Sequence, residues 1–184
     1  MWNFTPEGWI EVAIDEEMTS RAKKRAKSLG ALNNSIRKGE GNLCGFLGEE
    51  IVLKAFPESR CTDSYNNDIR LFKKLTLEVK TKDRTVRPQP FYECSVAKYN
   101  DSQESKLYVF CSLYRFAGKY TKGWILGCMT PQGYKKRATS MKVGDMDPSN
   151  GMVFKADCHN LPISKLHSIR KFCENYDYLK KKYS

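Results

Sequence analysis

The sequence has no cysteine pair close enough to begin a zinc site. Its seven cysteines fall at 44, 61, 94, 111, 128, 158 and 173, no two nearer than 15 positions. C-x-x-C spacings are therefore absent, and two histidines add little ligand capacity. An odd cysteine count within apolar stretches such as YVFCSLY and WILGCM fits small buried hydrophobes better than a disulfide framework. That usage predicts a reducing, cytoplasmic compartment. No apolar run approaches the roughly 20 residues of a membrane span. The opening MWNFTPEGWIEVAIDEE lacks the basic-then-apolar layout of an export signal. No membrane association and no zinc are expected. Repeats, low-complexity tracts and an obvious linker are also missing.

Acidic residues are scarce in two long stretches. None occurs from Met18 to Gly39, where Arg21, Lys23, Lys24, Arg25, Lys27, Arg37 and Lys38 lie. None occurs from Ser105 to Gly144, which carries Lys135, Lys136 and Arg137 among its bases. With 32 Lys and Arg against 21 Asp and Glu, the chain bears a formal charge of +11. Such an excess speaks to partners rather than fold, and nucleic acid is the commonest polyanion. The 184 residues make one ordinary domain. At 40% hydrophobic and 12% aromatic the chain has material for a core and is not of disordered composition.

Periodicity predicts a short strand over 9–14, a basic helix from Asp15 to Gly30, and a polar loop over 31–42. A second helix is expected from Leu43 to Phe56, stopped by Pro57. A strand follows over 59–63, then a hairpin of 69–71 and 75–82. Residues 91–99 read as helical, 107–114 and 124–129 as strands, 132–139 as a short helix, 152–156 as a strand and 163–182 as a terminal helix. This pattern implies an α/β (α+β) fold with a mixed sheet flanked by helices.

The informative stretch is the hairpin, N-D-I-R-L-F-K-K-L-T-L-E-V-K-T-K from Asn67 to Lys82. Strand side chains alternate faces, so a common buried face requires Ile69 opposite Leu77 and Leu71 opposite Leu75. That register needs the odd loop Phe72-Lys73-Lys74. It sets Asp68 across from Glu78, with Cβ atoms roughly 5 Å apart. Lys80 follows on the same face, and Lys82 after it. Two carboxylates so close repel, and a divalent cation relieves the conflict. An oxygen-rich site of few carboxylates suits Mg²⁺ or Mn²⁺. An ordinary cross-strand mix of charges on a solvated face is the plain alternative. The preceding helix, GFLGEEIVLKAF, is apolar on most sides, so Glu49 and Glu50 are costly there unless paired or metal-bound.

G-x-x-G-E on a helix, then N-D-I, then E-V-K-T-K in a hairpin resembles the PD-(D/E)XK, or restriction-endonuclease-like, nuclease superfamily. The match covers residues 43–129, with flanking extensions over 1–42 and 130–184. Asn67 stands where that motif is written with proline. The resemblance implies an αβββαβ core and a metal-dependent nuclease hydrolysing DNA, of phage, restriction or repair type. It makes Asp68, Glu78 and the Val79 carbonyl metal ligands, with Glu49 a further ligand and Glu50 its rival should the helix be rotated. Lys80 would position the attacking water. Lys82, Arg21, Lys24, Lys27, Arg37, Lys38, Lys135, Lys136 and Arg137 are the candidate phosphate contacts, with Lys98 a weaker one. About six such contacts give a log–log salt slope near −5. A junction resolvase, acting as a two-fold dimer, and a non-catalytic binding module are the competing readings. A double-stranded DNA partner and a possible homodimer complete the expectation.

Overall fold

The computed structural model describes residues 1–29, 40–64, 66–147, 151 and 153–184. Its larger sheet is built around the two strongest strand signals. β6 (Leu107–Phe116) and β7 (Lys119–Met129) pair as an antiparallel hairpin. β4 (Leu75–Arg84) lies parallel to β6 along its other edge. β3 (Asn67–Leu71) and β2 (Ser59–Ser64) extend the sheet antiparallel beyond β4. β1 (Ile10–Ala13) closes the far edge on β7, and a two-residue strand, β10 (His167–Ser168), pairs further along the same edge. The order is β1-β7-β6-β4-β3-β2, so the sheet is mixed.

Both faces of this sheet are covered, which is why β6 reads as a nearly continuous apolar run. Val109, Cys111 and Leu113 face one core, shared with Leu47, Ile51 and Val52 of α2 (Glu40–Ala55). Tyr108 and Phe110 face a second core, beneath Cys94, Val96 and Leu161 of a smaller sheet. That sheet runs β5 (Glu93–Ala97), β9 (Cys158–Pro162) and β8 (Thr139–Met141). α3 (Pro131–Arg137) caps the second core through Tyr134, whose hydroxyl lies 2.8 Å from the carbonyl oxygens of both Cys94 and His159 and shares its proton between them. Its start is fixed by Thr130, whose side chain accepts from Gly133 N–H.

The hairpin has the expected register, Ile69 with Leu77 and Leu71 with Leu75. Phe72 takes a left-handed φ of 58° to close its three-residue loop. The chain end holds the loop in place. Lys73 and Lys74 N–H donate to the Tyr183 carbonyl at 3.1 and 2.9 Å, and the Phe72 ring meets Tyr176 edge-on at 5.0 Å.

Four expectations need correction. The loop expected over 31–42 gives way to α2 by Glu40; residues 30–39 lie outside the described set. Residues 91–99 are not helical: they form β5 and enter a 3-10 turn, Lys98–Ser102, so no α-helix links β4 to β6. Tyr92, Cys94 and Val96 already alternate with polar residues there, but the partner strand β9 lies more than 60 residues on and is invisible locally. Among the described residues 153–156 form no strand, only a Met146–Val153 bridge. The terminal helix is interrupted: a 3-10 turn, β10, α4 (Ile169–Glu174) and α5 (Tyr176–Tyr183) replace it. Asn175 separates α4 from α5, with φ −98° and ψ 15°, and its side chain donates to Lys171 O at 2.8 Å. Six cysteines are buried, Cys61 is half-buried, and all are free thiols. Among the described residues no helix is long and apolar enough to cross a membrane.

Candidate active site

β3 and β4 part where the sequence places its acids. Their paired positions end at Ile69–Leu77. At the next step the Asp68 carboxylate replaces the missing backbone acceptor: Oδ2 takes the Val79 N–H at 2.7 Å. Glu78 is 4% exposed and points to the same side. Its Oε1 accepts from Lys80 Nζ at 2.8 Å, and the Gln103 side chain lies against the same carboxylate. Lys80 also donates to Gln103 Oε1 at 2.9 Å, and its ammonium stands 5.6 Å from the Tyr108 ring centroid.

α2 brings the third carboxylate. Gly48 makes this possible. A Cβ there would overlap the Thr81 hydroxyl and lie 2.9 Å from Thr81 Cβ, so only glycine lets the helix sit this close to β4. The next residue, Glu49, faces the Asp68–Glu78 pair at 6% exposure. Arg25 of α1 (Glu16–Leu29) reaches it, Nη2 to Oε2 at 2.7 Å, with the guanidinium 4.4 Å from the Phe46 ring centroid. Glu50 turns away and accepts from Arg21 Nε and Nη2 at 2.8 and 2.7 Å. The helix rotation thus places Glu49, not Glu50, with the hairpin acids.

The electrostatics follow from crowding acids in a dry place. Burial, then Asp68, pushes the Glu49 carboxyl up to about 8, against the pull of Arg25. Burial, then Asp68, pushes Glu78 up to about 7, against the pull of Lys80. Asp68 is also raised, by burial, although the Val79 N–H and the charges of Lys80 and Arg25 oppose it. All three acids therefore resist ionising together.

As they stand, no three His, Cys, Asp or Glu side chains among the described residues converge on a common metal position. The chemistry of the donors nonetheless fits a hard divalent cation. They are all oxygens, and Asp68 stands close enough to repel Glu49 and Glu78. Lys80 and Arg25 supply positive charge where such an ion would.

The candidate phosphate contacts divide. Lys24 and Lys27 are exposed on α1, and Lys136 and Arg137 are exposed on α3. Arg21 is committed to Glu50, and Lys135 pairs with Asp101 at 3.0 Å. Lys82 is half-buried; burial and neighbouring Arg84 push its pKa down, while Asp147 and Glu93 pull the other way. Lys98 is half-buried at the start of the 3-10 turn. Arg37 and Lys38 lie outside the described residues.

Arg25 and Gln103 are the site residues that reasoning from sequence missed. Arg25 stood in the basic run with no mark to single it out, and Gln103 follows a turn that read as the end of a helix. Scans against protein-family models and searches of curated proteins and solved structures find no match.

Proposed function

We propose that the chain is a metal-dependent nuclease that hydrolyses DNA phosphodiester bonds at the Glu49, Asp68, Glu78 and Lys80 cluster. One observation carries the reading. The two hairpin carboxylates and Glu49 of α2 are buried close enough to act on one another electrostatically, with the Lys80 ammonium 2.8 Å from Glu78 among them. The order α2, β2, β3, β4, then β6 parallel to β4, supports a restriction-endonuclease-like core, in which a strand and a 3-10 turn stand in for the crossover helix.

Asp68, Glu78 and Glu49, with the Val79 carbonyl, would hold Mg²⁺ or Mn²⁺. The ion supplies a water of lowered pKa and positive charge for the scissile phosphate. The protein's own groups do the rest. The Val79 N–H fixes Asp68. Glu78 and Gln103 occupy two of the three Lys80 donors, leaving the third for the attacking water or a phosphate oxygen. Lys80 thus adds a fixed positive charge where negative charge develops. The exposed bases of α1 and α3 hold backbone phosphates and set position rather than sequence.

Supercoiled plasmid with Mg²⁺ or Mn²⁺, and EDTA as control, tests the reading. Wild type should nick or linearise it. Asp68→Asn and Glu78→Gln keep a hydrogen-bond acceptor for Val79 and Lys80 but remove the charge, and should abolish cleavage while binding DNA. Cleavage at wild-type rates by either variant removes the site, and binding without any cleavage by wild type leaves a nucleic-acid-binding module.

A further inference from the structure

We infer that Arg25 is a phosphate-binding residue of this site, held by Glu49 until a divalent cation takes that carboxylate. The inference deepens the nuclease reading and rests on it. The Arg25 side chain is 22% exposed and Glu49 only 7%, so the pair meets at the boundary between pocket and solvent. A cleft of about 550 Å³ opens beside it, walled by Lys24 and by the Arg21–Glu50 and Lys54–Asp15 pairs. The Phe46 ring holds the guanidinium plane from one side, its centroid 4.4 Å from Cζ.

Charge decides the order of events. Without a cation Glu49 occupies Arg25 and Glu78 occupies Lys80, so neither base is turned toward a phosphodiester. A divalent cation brings the site to a net positive charge and competes for Glu49. Arg25 then loses its carboxylate and gains an adjacent phosphate, for which its fork is equally suited. Metal and DNA therefore help each other bind, and linkage makes the help reciprocal. Arg21 provides the contrast. Its partner Glu50 lies outside the carboxylate cluster, so nothing at the site displaces it.

The test is duplex-oligonucleotide binding by fluorescence anisotropy, in EDTA and with Ca²⁺ as the probe ion. Arg25→Gln should bind DNA within about twofold of wild type in EDTA, because the arginine is occupied there, and at least tenfold more weakly with Ca²⁺. In EDTA, Glu49→Gln should bind severalfold more tightly than wild type, and that gain should vanish in the Arg25→Gln background. An equal gain in both backgrounds means simple relief of repulsion and overturns the inference. So does an Arg25→Gln loss that is the same in both buffers. Arg25→Lys serves should Arg25→Gln not fold: it keeps the ion pair, lacks the fork, and should lose affinity only with Ca²⁺. If Ca²⁺ changes neither the DNA affinity nor the melting temperature of wild type, the metal-dependent reading itself falls.

Discussion

Metal-free protein should lose stability as pH rises from 5 to 8, the reverse of a protein whose acids are salt-bridged. Glu78 goes from an ordinary 4.5 to about 7, and Glu49 from 4.5 to about 8. A raised carboxyl pKa means that the folded state binds more protons than the unfolded state between those values. The slope of stability against pH is then negative across that window. At 1.36 kcal/mol per pKa unit the Glu78 shift corresponds to roughly 3 kcal/mol and the Glu49 shift to roughly 5 kcal/mol. The two share the Asp68 charge and titrate together, so the larger, about 5 kcal/mol, sets the scale. For a chain of this size that is a fall in Tm on the order of 10 °C. Glu7, Asp15, Glu58 and Asp157 have lowered pKa values, so their stabilisation is lost only as pH falls below the ordinary carboxylate range and does not disturb the window. Thermal melts in EDTA at half-unit steps measure the slope directly. Glu49→Gln should flatten the curve, and Mg²⁺ should raise Tm most at pH 8, where all three acids can ionise around it. A Tm that is constant or rises from pH 5 to 8 refutes the electrostatic account of the pocket.

Lys80→Ala should slow single-turnover cleavage on the order of 10²-fold or more, while Mg²⁺ affinity, read from the Tm shift, stays near wild type. Gln103→Leu should lower the same rate less, because Glu78 still holds the ammonium; an unchanged rate would show that Gln103 does not position it. Charge reversal of Lys24 and Lys27 together should weaken duplex binding for every sequence and flatten the log–log salt slope by about 2, measured by anisotropy across salt concentrations. Gly48→Ala forces a methyl group into Thr81 and should cost about 1–3 kcal/mol, seen as a Tm several degrees lower, with a matching loss of cleavage as Glu49 shifts. An unaltered Tm would contradict the close seating of α2 on β4.

The parts of the fold set by local periodicity were legible. The register of β3 and β4 followed from one requirement, that Ile69, Leu71, Leu75 and Leu77 share a buried face. β6, β7 and the apolar α2 followed equally from pattern. What sequence could not show was what each element packs against. β5 has the alternation of a strand, yet its partner β9 is far along the chain, and a segment ending in a 3-10 turn imitates a helix end. Asp68 and Glu78 were visible because one hairpin carries both. Glu49 was separable from Glu50 only once Gly48 had fixed how α2 sits on Thr81. Arg25 and Gln103 reach the site from a separate helix and a separate turn, so no spacing within the hairpin announces them.

The carboxylate cluster is poorly explained as a stabilising device. It lies beside a core of Leu47, Ile51, Leu77 and Val79, where apolar side chains would pack without desolvating charge. Replacing buried ion pairs by packed hydrophobes is often neutral or stabilising. Among the described residues two cations, Arg25 and Lys80, pair with two of these three acids. Burial raises all three acids, and the Asp68 charge adds to the rise of Glu49 and Glu78, so at neutral pH the arrangement weakens the folded state unless something positive enters. Such a conflict, at the point where two strands part and beside a basic helix, is what the proposed cation and polyanion would relieve. An isolated phosphate-binding surface has no use for the acids, and a structural core gains nothing from burying them; the proposed hydrolysis would use both acids and bases.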